Sequence, residues 1–253
     1  MNTYAIILAA GKGTRMQSKL PKVLHRVGKE TMIEHLVGKL ESMNVDEIFV
    51  VVGYQGELVK AYLGSRVTYV EQTEQLGTAH AVSQAAPFLQ NKRGETLVLA
   101  GDTPLIETQT MELLVRIQRS KRSAGVVLTA LADDPTGYGR IIRDERTGEV
   151  IGIAEEKNAT PEQRRIREVN TGIFCFDNRS LYRALPSVQN QNAQQEYYLT
   201  DIIPAMRKTK LSGQRMVFDS MTLLDPSEAI GINTPQHLAA AEQVLNQRAL
   251  VKR

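Results

Sequence analysis

Three short strings place polar and glycine-rich chemistry directly behind apolar runs. Leu8-Ala-Ala-Gly-Lys-Gly-Thr-Arg-Met16 follows the run Tyr4-Ala-Ile-Ile-Leu8. Gly11 and Gly13 let the backbone turn sharply and approach a ligand, because no Cβ intervenes. Exposed N–H groups in such a turn bind phosphate oxygens, and Lys12, Arg15 and Lys22 add positive charge. Taken alone, Gly-Lys-Gly also reads as a simple strand-to-helix turn. Met16 stands where a dinucleotide fingerprint needs its third glycine, and no P-loop spacing is present. In the second string, Glu71 to His80, the Gln72 amide can both donate and accept, which suits paired hydrogen bonds to a base edge. Gly77 permits close approach, and Thr78 either meets a ligand or caps a helix. In the third, Ala100-Gly-Asp-Thr-Pro-Leu105, Asp102 sits past the carboxyl end of an apolar run, where ligands of open α/β sheets bind. A carboxylate there suits Mg²⁺, which prefers oxygen donors and accompanies phosphates; a turn-capping role before Pro104 is the competing reading. Asn233, just ahead of Thr234-Pro235, reads by itself as a helix cap.

Gly11-Lys-Gly-Thr-Arg-Met16 followed by Leu20-Pro21-Lys22 resembles the signature of the sugar-phosphate nucleotidyltransferases. Gln75-Leu-Gly-Thr-Ala-His-Ala81 is similar to the uracil-binding segment of the N-acetylglucosamine-1-phosphate uridyltransferases within that family. The resemblance runs along nearly the whole chain, with the motifs in the family's order. It implies transfer of a uridylyl group from UTP to N-acetylglucosamine 1-phosphate, with release of pyrophosphate and with Mg²⁺ as cofactor. It also implies the site. Arg15 and Lys22 would steady the phosphates, and Leu8, Ala9, Ala10, Gly11, Gly13, Gln72, Gly77 and Thr78 would surround the nucleotide. Asp102 and Asn233 would hold the metal, and Gly139, Glu155, Asn170 and Thr171 the sugar. The string Asn190 to Asp201 resembles the family's long loop near the sugar, without separate residue roles.

These residues need a scaffold. Tyr4–Leu8, Glu47–Val52, Val67–Val70 and Thr96–Ala100 are apolar runs of the length and type expected of strands buried on both faces. Between them, helical spacing predicts helices over 55–63, 78–89 and 107–120, and Thr31-Met-Ile-Glu34 opens another as a capping box. Gly125–Ala130 is a further strand. The alternation predicts an α/β fold: a Rossmann-like, mostly parallel mixed sheet with helices on both faces. From about residue 137 the pattern changes to strand pieces (140–143, 149–154, 171–176, 215–218) among polar loops. This predicts a sugar-binding lobe built onto the same sheet, within a nucleotidyltransferase domain over 1–233. A helix follows over 234–253, with Thr234 or Asn233 as its cap and an apolar stripe at Leu238, Ala241, Leu245 and Ala249.

Composition narrows the class. The chain has 253 residues, 42% hydrophobic, with 31 basic and 28 acidic side chains, a net charge of +3. That excess is too small to argue for nucleic acid. The only cysteine, Cys175, lies in an apolar string, and the four histidines are scattered, so none receives a role. No apolar run approaches the roughly 20 residues of a membrane helix, and a cytoplasmic protein is expected. The bifunctional relatives continue into a β-helix of hexapeptide repeats; none is present before Arg253. The expectation is therefore a mainly monomeric chain without acetyltransferase activity. Two rivals stay open: an enzyme of the same superfamily using dTTP with glucose 1-phosphate or CTP with a sugar-alcohol phosphate, and a catalytically silent nucleotide-sensing domain.

Overall fold

A computed structural model describes residues 1–192, 194–211 and 214–251. In chain order the strands are β1 (Thr3–Ala9), β2 (Arg26–Val27), β3 (Glu30–Thr31), β4 (Glu47–Val52), β5 (Thr68–Glu71), β6 (Glu95–Ala100), β7 (Gly125–Leu131), β8 (Arg140–Arg143), β9 (Val150–Ala154), β10 (Glu168–Asp177), β11 (Lys210–Leu211), β12 (Gln214–Arg215) and β13 (Phe218–Thr222). The helices are α1 (Met32–Ser42), α2 (Gly56–Leu63), α3 (Thr78–Ser83), α4 (Ala86–Leu89), α5 (Thr108–Lys121), α6 (Pro161–Arg164), α7 (Asn178–Ala184), α8 (Ile202–Lys208) and α9 (Pro235–Val251).

The main sheet runs β13-β7-β10-β6-β1-β4-β5, with the β8–β9 hairpin attached through β10. β1 pairs in parallel with β4 and β6, β4 with β5, and β13 with β7. Only β10 within that order runs antiparallel, between β6 and β7. Side chains alternate along β1: Tyr4 and Ile6 join one buried cluster, Ala5, Ile7 and Ala9 the other. The first cluster is closed by α3, α4, α7 and α8, the second by α1, α2 and α5. Burying one such leucine, Leu36 for example, contributes about 1.5–3 kcal/mol. Cys175 is fully buried in β10, opposite Leu97 of β6 and Val126 of β7, and burial pushes its thiol pKa well up. No helix among the described residues is long and apolar enough to cross a membrane.

Most expected elements are present, and the differences have local causes. The helix expected over 78–89 is two pieces, because Pro87 in the first turn of α4 has no N–H to continue the ladder. The strand expected over 215–218 lies instead at 218–222, where Phe218 pairs with Gly125 and Thr222 with Thr129. Thr31 caps α1, its hydroxyl accepting from the Glu34 N–H at 3.2 Å. The Glu34 carboxylate, however, pairs with Arg66 at 2.8 Å rather than completing the box. α9 begins where predicted; the last two residues of that range, and residue 193 of the long loop, lie outside the described residues.

Candidate active site

The carboxyl ends of β1 and β6 open into a cavity of about 300 Å³, lined by Leu8, Ala9, Ala10, Gly11, Lys22, Gln72, Gly77, Thr78 and Asp102 of the expected residues. Val23, Gln75, Ala81, Ala100, Gly101 and Glu196 complete it. The glycine turn does what its composition suggests. Gly13 takes φ +60°, and a Cβ there would stand 2.7 Å from Lys22 Cβ. Around Gly11 a Cβ would meet nothing within 4 Å, so the space above it is free.

Beside the cavity the charged groups converge. Lys22 Nζ is 2.5 Å from Asp102 Oδ2 and 3.1 Å from Asn233 Oδ1, and Arg15 Nη2 is 2.7 Å from the same Asn233 oxygen. Asn233 is brought here by its neighbour: the Ile232 N–H donates to the Asp102 carbonyl at 2.8 Å. Its expected rival role passes to Thr234, whose hydroxyl accepts from the His237 N–H at 3.2 Å, so the Asn233 side chain is free to face the cations. Lys22 and Arg15 supply positive charge suited to phosphates beside the carboxylates of Asp102 and Glu196. Asp102 and Asn233 aim oxygen atoms at one point, now filled by an ammonium. That donor set fits a hard divalent ion whose other ligands are phosphate oxygens and water. No group of three or more His, Cys, Asp or Glu side chains that could hold a metal occurs among the described residues.

The antiparallel course of β10 places its first residues at this same rim. Phe174 lies opposite Val98 in β6; β10 bulges between Asn170 and Phe174, where a Cβ on Gly172 would stand 3.6 Å from Ala100 Cβ. Arg140 of β8 pairs with Ala154 of β9, which sets Gly139 against Glu155. A Cβ on Gly139 would stand 3.5 Å from Glu155 Oε2 and 3.6 Å from Asn170 Cβ. The Asn170 N–H donates to the Gly139 carbonyl at 2.8 Å. Desolvation raises the Glu155 pKa, the hydroxyl hydrogen bond from Thr200 at 2.9 Å opposes the rise, and Asp201 adds to it. Tyr138, next to Gly139, has its pKa raised by burial and by the charge of Asp102.

Three of the expected side chains have partners within the protein. The Thr171 side chain is buried, and its hydroxyl donates to the Leu128 carbonyl at 2.8 Å; strand alternation turns it into the sheet, away from Asn170. The helix is not capped by Thr78: Gly77 is the cap, at φ 106°. The Thr78 hydroxyl accepts from the Leu199 N–H at 2.8 Å. Gln72 has no amide proton left for a base, since Nε2 reaches the Gly77 carbonyl and His80 Nδ1, each at 3.0 Å. Only its carbonyl remains for a ligand. The residue reading also passed over Thr200 and Gln75, whose amide holds the Ala10 carbonyl at 3.0 Å. Both sit inside strings that were singled out, but neither has a residue type distinctive enough to select it.

The family model described as nucleotidyl transferase matches residues 4–222. This chain belongs to the nucleotidyl transferase family. Over 247 residues it is 49% identical to the bifunctional protein GlmU of Brevibacillus brevis, covering 98% of this chain and 52% of that protein. It is 48% identical to the GlmU of Enterococcus faecalis, covering 98% and 53%. The chain thus spans about half the length of the curated relatives it matches. Among solved structures, a Bacillus anthracis protein assigned as a glucose-1-phosphate thymidylyltransferase, in complex with sucrose, superposes with a TM-score of 0.72. That match covers 96% of this chain and 94% of the other at 22% identity, which shows the shared nucleotidyltransferase-type fold.

Proposed function

We propose that this chain transfers a uridylyl group from UTP to N-acetylglucosamine 1-phosphate in the cytoplasm, using Mg²⁺ and releasing pyrophosphate. The product, UDP-N-acetylglucosamine, would supply cell-wall synthesis. The observation that carries the reading is the convergence of Arg15, Lys22, Asp102 and Asn233 at a cavity floored by a glycine turn. The reading divides labour within one domain over 1–233: the first part takes the nucleotide, and the lobe from about residue 137 takes the sugar. A helix follows over 234–253.

In this reaction an oxygen of the sugar 1-phosphate attacks the α-phosphorus of UTP. The new P–O bond forms as the bond from that phosphorus to the bridging oxygen of the β-phosphate breaks, and the electron pair leaves with pyrophosphate. The nucleophile is already ionised, so no protein base is required and catalysis is positioning and charge stabilisation. Asp102 and Asn233 would hold Mg²⁺, which when bound neutralises phosphate charge. Lys22 then leaves Asp102 for the phosphates, and Arg15 steadies them from the other side of Asn233. Gly139 leaves room for the sugar, while Glu155 and Asn170 accept and donate hydrogen bonds to it.

A pyrophosphate-release assay tests this. Wild type should turn over UTP with N-acetylglucosamine 1-phosphate far faster than dTTP with glucose 1-phosphate or CTP with a sugar-alcohol phosphate. Asp102→Ala should lose at least about a hundredfold in kcat, with an unchanged circular dichroism spectrum. Near-normal turnover by the folded variant would remove Asp102 from the reaction, and preference for another substrate pair would replace the proposed one.

A further inference from the structure

The hydrogen bonds around Gln72 run in a chain with a fixed direction. The Gly77 carbonyl can only accept, so the group facing it at 3.0 Å must be the Gln72 NH₂ and not its oxygen. The second proton of that NH₂ points at His80 Nδ1, 3.0 Å away, which must therefore be the unprotonated ring nitrogen. The ring proton then resides on Nε2; the Gln84 amide nitrogen, 3.1 Å from it, donates to the His80 carbonyl at 3.0 Å and to the Ser83 hydroxyl at 3.3 Å. Both donors of Gln72 are consumed on the side of α3. Its carbonyl oxygen has no protein partner among the described residues, and Gln72 lines the nucleotide cavity.

We propose that His80, together with the Gly77 carbonyl, is the residue that sets base choice by locking the Gln72 amide with its oxygen presented to the ligand. The inference rests on the uridylyl reading above and deepens it. A uracil ring carries a proton on N3, which such an oxygen can accept. A cytosine ring carries a lone pair there, and two acceptors repel. With His80 removed, only the Gly77 carbonyl still holds the amide, and turning it over to offer NH₂ to cytosine costs one contact instead of two. His80 touches no substrate; it is a positioning residue acting through Gln72.

The test uses the full chain and two variants. His80→Leu removes the acceptor, and its apolar side chain is accommodated by the cavity of about 250 Å³ beside the ring, whose walls include Ala79, Ala86, Leu185 and Val188. His80→Asn keeps an oxygen near the place of Nδ1. In His80→Leu the UTP/CTP ratio of kcat/KM should fall at least about tenfold, the worth of one buried polar contact. The KM for N-acetylglucosamine 1-phosphate should stay within about twofold of wild type, a change below the worth of any one hydrogen bond. His80→Asn should recover most of the ratio. In ¹⁵N spectra the Gln72 side-chain NH₂ protons should be slow to exchange in wild type and in His80→Asn, and fast in His80→Leu. A wild type without preference for UTP overturns the uridine reading and the specificity role with it. A wild type that prefers UTP, with His80→Leu keeping that ratio, overturns the lock alone. If His80→Leu does not fold, failure of His80→Asn to keep either the ratio or the slow exchange overturns it.

Discussion

Glu155 shows how much a single side chain at this site gives up for its place. Folding raises its pKa, so the folded chain binds the proton more tightly than the unfolded chain does. Ionisation therefore costs folding free energy once the pH passes the ordinary carboxyl value of 4.5, and the cost is absent below it. Glu155→Gln keeps an acceptor for the Thr200 hydroxyl and loses the charge. It should melt higher than wild type at pH 7.5 and show no such gain at pH 4. In the assay it should raise the KM for the sugar phosphate several-fold more than that for UTP. Equal melting at both pH values would mean that the carboxylate is solvated in the folded chain. The sequence already marked Glu155, Asn170 and Asp102 through the strings that contain them. It did not show that Thr171 faces the sheet or that Gln72 spends both amide protons on the protein, because neither fact is set by neighbours in the chain. Each depends on a partner more than four residues away or on a strand register.

The turn from Leu76 to Thr78 and the turn around Gly11 both carry glycine, for different reasons. At Gly77 the backbone takes φ 106°, and a Cβ would stand 2.6 Å from the Tyr197 carbonyl oxygen. At Gly11 no such φ is required, and an added Cβ would meet nothing within 4 Å beyond its chain neighbours. Gly77→Ala should therefore destabilise the fold by about 2–4 kcal/mol. Gly11→Ala should melt within about 0.5 kcal/mol of wild type and still lose UTP binding, because its methyl enters the cavity. Urea denaturation of the two variants beside a UTP titration separates the cases, and a Gly11→Ala protein that binds UTP normally would show that the nucleotide does not pass over that turn. The same contrast explains what was legible at this scale. Elements set by periodicity, such as β1, β4 and α5, lie where the pattern puts them. Elements set by pairing, such as β13 against β7, are shifted, because only the partner strand fixes where pairing begins.

Across the molecule, the cavity at the ends of β1 and β6 and the cluster of Gly139, Glu155 and Asn170 are joined by one reversed strand. The mostly parallel sheet was legible from the alternation of apolar runs and helices; the reversal of β10 was not, since a strand reads the same in either direction. That reversal brings the bulge after Asn170 beside β6, a Cβ on Gly172 standing 3.6 Å from Ala100 Cβ, and it also puts the only thiol of the chain at the middle of the sheet. Cys175 is consequently a timing device for the whole structure. Its side chain lies in the cluster covered by α5, so a thiol reagent reaches it when α5 lifts from the sheet or β10 separates from its neighbours, and the labelling rate under conditions of fast reclosing measures the population of opened molecules. With the Mg²⁺–UTP complex at about a hundredfold its Kd, that rate should drop about a hundredfold if opening dismantles the site. An unchanged rate would mean that the thiol becomes exposed while UTP stays bound, and the opening around Cys175 would then be independent of the nucleotide cavity.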